Sequence, residues 1–247
     1  AGRYLEDESS YAGLVVLISD SAAEVTSEDE FLYLRAGVVT SVTPSTGQYG
    51  TIVEINGTGL LGGGSTSTNI SVGSIPVHTI VSVSDFRVVV RVGQHLAGHT
   101  TLLIEADTGA RFYEINAFEY LQEGEIAAVE PNSGQFATEI HISGERLLGI
   151  GTSLDSVTLI GVPVHRIVSS NSTDVEVIAA TPDAYLQIAQ LPLTGDVVLT
   201  ANTGDIVSIA GGWTYLRAGQ IYSVYPGSGQ LGTRVGITGV RLFGGGN

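Results

Sequence analysis

An internal repeat constrains this chain more than any other feature of its sequence. Three segments align without a gap, at residues 33–64, 120–151 and 215–246. Their shared prolines and glycines recur at spacings of 87 and 95 residues, so the repeating unit has about 90 residues. Such a period means that one folded unit recurs along the chain. The eight extra residues of the second unit are expected in a loop within residues 171–193.

Within a unit the apolar residues alternate with a period of two. In Thr51–Asn56, Val53 and Ile55 share one face, and the aligned segments at 138–143 and 233–238 repeat this pattern. Alternation of this kind indicates an antiparallel strand with one face on a core. Further strands are predicted at Pro76–Val81, Arg87–Val92, Thr101–Ala106 and Phe112–Tyr120, with equivalent hairpin ends at 107–109 and 202–204. About seven short strands per unit, with no amphipathic helix, predict an all-β chain of tandem immunoglobulin-like β-sandwiches.

The order of motifs within each unit resembles the IPT/TIG family. Val-x-Pro-x-x-Gly is followed by Gly/Ala-Thr-x-Val/Ile-x-Ile, by Gly-x-x-Leu-Leu/Phe-Gly and finally by an aromatic-x-Tyr pair. These immunoglobulin-like domains occur in plexins, in some transcription factors and in large cell-surface proteins. The resemblance implies IPT/TIG-like sandwiches, an extracellular or cell-surface location and no enzyme activity. The chain lacks the basic DNA-facing loops of the transcription factors and the cysteines of the plexins.

The given sequence begins and ends in the middle of a repeat unit. Residues 1–37 match the back half of a module, 38–124 and 125–219 are complete modules, and 220–247 match the front half. A half sandwich leaves its apolar face and its strand edges uncovered. Two explanations stay open. Either the sequence is a window of a longer array, or the head of one subunit and the tail of the next complete a shared sandwich.

Composition excludes several classes of function. The chain has 25 Asp and Glu against 10 Arg and no Lys, a net charge of −15, which disfavours a nucleic-acid partner. It has no Cys, and therefore no disulfide or thiol-based metal site. No apolar run reaches the length of a membrane-spanning segment. No Ser/His/Asp set or carboxylate pair is identifiable, so we predict no catalytic residue, no cofactor and no enzyme.

Two motifs resemble ligand sites but favour structural explanations. Gly57–Gly62 matches the dinucleotide fingerprint GxGxxG, yet its counterparts at 144–149 and 239–244 keep the turn and lose the middle glycine. His95 and His99 have a metal-clamp spacing, but Gly98 and the flanking strands indicate a loop. His78 and His165 occupy equivalent strand positions, where packing is expected. We therefore predict no metal ligand among them.

Acidic clusters and aromatic pairs also admit two interpretations. Residues 6–8 and 28–30 could bind Ca²⁺ at a module junction, although solvated acidic turns are the more common explanation. An aromatic pair closes each unit on one strand face, which favours core packing over a sugar-stacking platform. The pairs are Phe31/Tyr33, Phe118/Tyr120 and Trp213/Tyr215.

Three sequons make N-linked glycans the predicted covalent partner: Asn56, Asn69 and Asn171. Asn69 adjoins a Gly/Ser/Thr-rich loop, and Asn171 lies in a Ser/Thr-rich turn, so both are expected to be exposed. Asn56 ends a strand at a position that Ser143 and Thr238 hold in the other units, where a small polar residue is the alternative explanation.

These observations predict a structural subunit of an extracellular, N-glycosylated fibril or surface appendage. Copies would assemble head to tail into a homopolymer, with each terminal half-module completed by a neighbour. The alternative is an adhesin or receptor-ectodomain fragment of a longer array that binds a protein or glycan. A third hypothesis is an accessory module of a polysaccharide-active enzyme whose catalytic domain lies outside this sequence.

Overall fold

The computed structural model describes residues 10–182 and 191–244, and these residues form β-strands without an α-helix. The all-β fold class is therefore confirmed. The chain contacts divide into two units, one of residues 1–46 and 52–120 and the other of residues 47–51 and 121–247. Each unit is described by itself.

The first part of the chain contains eleven strands. They are β1 (Tyr11–Ile18), β2 (Glu24–Tyr33), β3 (Val38–Thr43), β4 (Thr46–Gly47), β5 (Ile52–Thr58), β6 (Ser67–Val72), β7 (Ile75–Pro76), β8 (Thr79–Val83), β9 (Arg87–Arg91), β10 (Gly98–Ala106) and β11 (Arg111–Tyr120). One four-stranded sheet has the order β3-β5-β9-β8, and a five-stranded sheet has the order β4-β11-β10-β6-β7. We call these two sheets the first sandwich. Strands β1 and β2 form a separate two-stranded sheet, the head hairpin.

The second part repeats this arrangement. Its strands are β12 (Glu125–Glu130), β13 (Ser133–Gly134), β14 (Glu139–Glu145), β15 (Leu154–Leu159), β16 (Val162–Pro163), β17 (Arg166–Ser170), β18 (Asp174–Ile178), β19 (Leu193–Ala201), β20 (Ile206–Tyr215), β21 (Gln220–Tyr225) and β22 (Gly236–Val240). The sheets β12-β14-β18-β17 and β13-β20-β19-β15-β16 form the second sandwich, in the strand order of the first. Strands β21 and β22 form another two-stranded sheet, the tail hairpin.

Alternating residues of the facing sheets fill each core. In the first sandwich Ile55 and Ile104 are fully buried, and in the second Ile142 and Trp213 are fully buried. Because every second side chain of a strand points to the same face, the period-two pattern of the sequence becomes one apolar face per sheet.

The predicted strand at Pro76–Val81 is wrong, because the chain changes sheets there. Ile75–Pro76 pairs with β6 in the five-stranded sheet, whereas Thr79–Val83 pairs with β9 in the four-stranded sheet. Val77 and His78 connect the two strands. A proline cannot donate to a ladder, so the two-residue strand β7 ends at Pro76 on a sheet edge.

The extra residues of the second unit lie between β18 and β19, at residues 179–192. The prediction placed them within 171–193, but Asp174–Ile178 of that range is a strand. Residues 183–190 of the expected loop lie outside the described part of the chain. The predicted module boundaries at residues 37, 124 and 219 stay a prediction.

Candidate assembly surfaces

The head hairpin exposes side chains whose counterparts form a core. Its pairing of Tyr11 with Tyr33 repeats that of Gly98 with Tyr120 in the first sandwich, 87 residues later. Leu17 is 67% exposed, whereas its counterpart Ile104 is fully buried. The face that would be core in a complete sandwich is therefore open, at Val15, Leu17, Phe31 and Tyr33.

The tail hairpin also exposes apolar side chains whose counterparts form a core. Its ladder has a register shift between Ile221 and Ser223, at the position of the shift between Ile126 and Ala128 in the second sandwich. Ile237 is 52% exposed, whereas its counterpart Ile142 is fully buried. The apolar side chains of this face are Val224, Val235, Ile237 and Leu242.

The two hairpins differ in charge. Residues 220–247 contain two arginines and no Asp or Glu, a net charge of +2. Residues 10–37 contain five acidic residues and one arginine, a net charge of −4. Opposite charges attract and like charges repel, so the charges favour contact between a head and a tail over contact between two heads or two tails.

A shared turn precedes the second strand of each front half. In this turn the backbone N–H of a glutamine donates a hydrogen bond to Oγ1 of the threonine three positions on. The three bonds are Gln48 to Thr51 at 2.9 Å, Gln135 to Thr138 at 3.1 Å and Gln230 to Thr233 at 2.9 Å. Gln48 is buried, Gln135 is half-buried and Gln230 is exposed. The hydrogen bonds of this glutamine were not expected from the sequence, although its presence after a glycine in all three repeats was the available signal.

The sequence also gave no indication of the buried carboxylate of Asp205. Asp205 accepts hydrogen bonds from the hydroxyl groups of Thr51 and Thr203 and from the backbone N–H of Ile150. All three partners belong with Asp205 to the second unit. An aspartate after a hairpin turn is ordinarily solvated, so nothing in its sequence context indicates burial.

The glycine-rich motif at Gly57–Gly62 is a turn and not a nucleotide cradle. No helix follows it, and Gly62 has a φ of +52°, close to the values of +54° and +60° at Gly149 and Gly244. In this left-handed region a Cβ is disfavoured, so the turn itself requires the last glycine of the motif.

The histidines are not arranged as metal ligands. His95 lies in a loop, with its ring nitrogens 2.6 Å from the Leu96 carbonyl oxygen and 3.1 Å from that of Gly73, and His99 lies on β10. His165 is exposed and packs edge-on against the ring of Phe136. In the described part of the chain no cluster of three His, Asp or Glu side chains could hold a metal ion.

The remaining candidates divide into buried and exposed groups. Phe118 and Tyr120 are buried and pack edge-to-face, as do Trp213 and Tyr215, so these pairs are core residues. The acidic residues 28–30 are exposed on β2, and residues 6–8 lie outside the described part of the chain.

The three sequons lie in different environments. Asn171 is exposed in the turn between β17 and β18, and its Oδ1 accepts hydrogen bonds from the backbone N–H and the hydroxyl of Thr173. Asn69 lies half-buried on β6. The Nδ2 of Asn56 donates a hydrogen bond to Glu54 Oε1 at 3.0 Å. This nitrogen is the atom to which an N-linked glycan would be attached.

A hollow on the outer face of the second sandwich contains groups of both charges. Glu130, His141, Arg166 and Glu176 line it. His141 Nε2 lies 3.1 Å from Asp174 Oδ1. The hydroxyl of Thr173 and then His141 hold the pKa of the Asp174 carboxyl below its ordinary value. These charged groups are solvated, so their pair interactions are weak, as is usual on a polar surface.

The sequence profile of the IPT/TIG domain matches residues 38–120, which are the strands β3–β11 of the first sandwich. These residues therefore resemble an IPT/TIG domain. IPT/TIG domains are non-catalytic immunoglobulin-like domains, and the strand order of this one recurs in β12–β20. No curated protein matches the chain.

Several solved structures are similar to the chain at low identity. The extracellular region of plexin A4 is 17% identical, with a TM-score of 0.46, and the match covers 86% of this chain and 19% of plexin. The Bacteroides ovatus protein SGBP-B, solved with a mixed-linkage heptasaccharide, is 13% identical, with a TM-score of 0.29 and coverages of 87% and 55%. The Yersinia pseudotuberculosis adhesin InvE is 10% identical, with a TM-score of 0.23 and coverages of 72% and 58%.

The chain thus spans less than two thirds of the length of each of these three proteins. Within residues 10–182 and 191–244, no helix has the length and apolar character that crossing a bilayer demands.

Proposed function

We propose that this chain is a non-catalytic structural subunit of an extracellular or cell-surface fibril, built from IPT/TIG modules. Copies join head to tail, and the tail hairpin of one copy packs against the head hairpin of the next. The observation that carries the proposal is the exposure of these two hairpins, because each opens a face that is core in the complete sandwiches.

The two open faces are complementary parts of one sandwich. Strands β1 and β2 correspond to β10 and β11 of the five-stranded sheet, and β21 and β22 correspond to β3 and β5 of the facing four-stranded sheet. Burial of a large aliphatic side chain contributes about 1.5–3 kcal/mol. The tail face has four such side chains, and the head face has two together with the rings of Phe31 and Tyr33. These side chains supply a substantial driving force for association.

The contact uses different surfaces on the two copies, so it does not close on itself. Repetition of such a heterologous contact produces a linear or helical polymer. The opposite charges of the hairpins support this polarity, while the net charge of −15 keeps the sides of neighbouring polymers apart.

Analytical ultracentrifugation over a range of concentrations, with electron microscopy of the same samples, tests the proposal. The unaltered chain should form filaments. Leu17→Glu blocks the head and Ile237→Glu blocks the tail, so each variant alone should remain monomeric. An equimolar mixture should form dimers but nothing larger than a dimer. The intact tail of the Leu17→Glu variant can pair with the intact head of the Ile237→Glu variant, and the dimer then has no productive head or tail left.

Ser21→Glu is the matched control, because it adds the same charge to the exposed turn of the head hairpin and should leave polymerisation intact. A monomeric unaltered chain would overturn the proposal. Dimers of the Ile237→Glu variant alone would also overturn it, since they would show pairing between two heads.

N-linked glycans would decorate this polymer in a eukaryotic secretory pathway. The exposed turn at Asn171 supports glycosylation there, and Asn69 and Asn56 are the further sites that we propose. The test is the intact mass of the secreted chain before and after enzymatic deglycosylation. Asn171→Gln should remove one glycan mass, and an unglycosylated Asn171 in the secreted chain would contradict the proposal.

A further inference from the structure

The front and back halves of both sandwiches are joined by the same short backbone pairing. The strand β13 pairs in parallel with β20, with Ser133 opposite Thr214, and β4 lies beside β11 in the same way. Two N–H groups of each closing strand donate to the front half. These bonds are Glu119 to Ser45 at 2.9 Å, Leu121 to Gly47 at 2.7 Å, Thr214 to Asn132 at 2.9 Å and Leu216 to Gly134 at 2.7 Å.

A glutamine side chain extends each pairing by one more bond. Gln48 Oε1 accepts from the backbone N–H of Gly124 at 2.9 Å, and Gln135 Oε1 accepts from that of Gly219, also at 2.9 Å. In each case the front-half turn holds the glycine that lies four residues beyond the last aromatic of the closing strand. The turn therefore fixes where the linker leaves the sandwich.

The chain contains the acceptors and the donors of a third such pairing in separate places. In the tail, Gly229 and Gln230 occupy the positions of Gly134 and Gln135, and Thr233 N–H closes the turn on the Gln230 carbonyl at 2.9 Å. In the head, Leu34 and Gly37 occupy the positions of Leu216 and Gly219. Among the residues that the structure describes, neither the Gln230 side chain nor the N–H groups of Leu34 and Gly37 have a hydrogen-bond partner.

We propose that the tail turn of one copy closes on the head linker of a second copy in this register. The Leu34 N–H donates to the Gly229 carbonyl, the Gly37 N–H donates to Gln230 Oε1, and Ser228 lies opposite Leu32. This inference rests on the proposed head-to-tail assembly and specifies its register. A second copy is the occupant because it supplies the matching donors and a head of opposite charge.

The absence of cysteine from the chain makes the register directly measurable. Ser228 and Leu32 are both exposed, and facing residues of neighbouring strands are close enough for a disulfide. A double variant with Ser228→Cys and Leu32→Cys should form a covalent ladder of dimers, trimers and longer species under mild oxidation. The matched control combines Ser228→Cys with Ser21→Cys, at the far turn of the head hairpin, and should stay monomeric on a denaturing gel.

The outcomes distinguish failure of the proposed register from failure of head-to-tail assembly. If filaments form but the control pair cross-links as well as the Ser228/Leu32 pair, the register is wrong and head-to-tail assembly stands. If the unaltered chain forms no filaments, the proposed function itself fails.

The glutamine has its own readout. Gln230→Ala removes one acceptor and should weaken association by roughly three- to tenfold. Gln220→Ala, at the exposed start of β21, should leave association unchanged. Equal association of the Gln230→Ala variant and the unaltered chain would remove Gln230 from the contact.

Discussion

Tyr215 is a buried core residue whose ionisation should report on the second sandwich. Burial raises the pKa of its phenol from 10.0 to about 12. The neutral form is thus favoured in the folded state, so its contribution to stability is complete below pH 10 and is lost as the pH rises towards 12. We expect the free energy of unfolding of the second unit to fall by about 2–3 kcal/mol over that interval.

Urea denaturation at a series of alkaline pH values measures this effect. Tyr215→Phe should remove the corresponding part of the pH dependence and change stability at pH 7 by less than about 1 kcal/mol, because it deletes a buried hydroxyl. Tyr113→Phe is the control, since the ring of Tyr113 is exposed and belongs to the first unit. An unaltered alkaline transition in Tyr215→Phe would contradict the assignment.

Asp205 is a second residue on which the second unit depends. Asp205→Ala would remove the acceptor of the Thr203 hydroxyl and of the Ile150 N–H. It would also remove one of the two acceptors of the Thr51 hydroxyl, which keeps the Gln48 carbonyl oxygen. Hydrogen bonds to a charged group are worth about 1.5–3 kcal/mol each, with incomplete additivity, so we expect a loss of about 2–4 kcal/mol. Urea denaturation measures it, and Asp155→Ala at an exposed position should change stability by less than about 0.5 kcal/mol.

At the scale of the elements, the linker glycines permit a close approach of two backbones. A Cβ on Gly124 would lie 2.3 Å from the Arg146 carbonyl oxygen, and one on Gly219 would lie 2.4 Å from that of Arg241. We expect Gly124→Ala to destabilise the second unit by about 1–3 kcal/mol, because the strands must separate to admit the methyl group.

Thermal and urea unfolding of the Gly124→Ala variant test this. Gly13→Ala is the matched control, because nothing lies within 4 Å of a Cβ at that position in the head hairpin. A loss of stability in Gly13→Ala equal to that in Gly124→Ala would refute the steric explanation.

The strands could be predicted from the sequence because each has one apolar face and recurs in a second copy. Ile52–Thr58 and Arg87–Arg91 lie within one or two residues of their predicted bounds. The change of sheet at Val77 and His78 could not be predicted, because the alternation of side chains continues through it. The burial of Asp205 and the bonds of Gln48 depend on contacts between residues far apart in the sequence, which no local pattern encodes.

At the scale of the whole molecule, the distribution of charge should govern the rate of assembly. The net charges of +2 in residues 220–247 and −4 in residues 10–37 attract within about 10 Å at moderate salt. We expect the association rate to fall roughly tenfold between low salt and 0.5 M NaCl, as the attraction is screened. The rate is measured by light scattering after monomeric chain is diluted into buffers of different NaCl concentration without denaturant.

Arg234→Glu reverses one of the two tail charges and should slow association at low salt but have little effect at high salt. Arg166→Glu makes the same change on an exposed position of the second sandwich and serves as the control. An association rate that rises with salt would indicate that repulsion between whole chains dominates.

The open faces of the head and tail hairpins have a mechanical consequence. Copies that only touched end to end would separate at their surfaces. Copies joined through shared sandwiches overlap, because the tail hairpin of one copy packs on the head hairpin of the next. A pulling force would then shear the paired strands and must wet an apolar core before the copies separate. A filament of this kind should separate between copies only after the shared core is exposed to water, so tension would be carried without any covalent cross-link between copies.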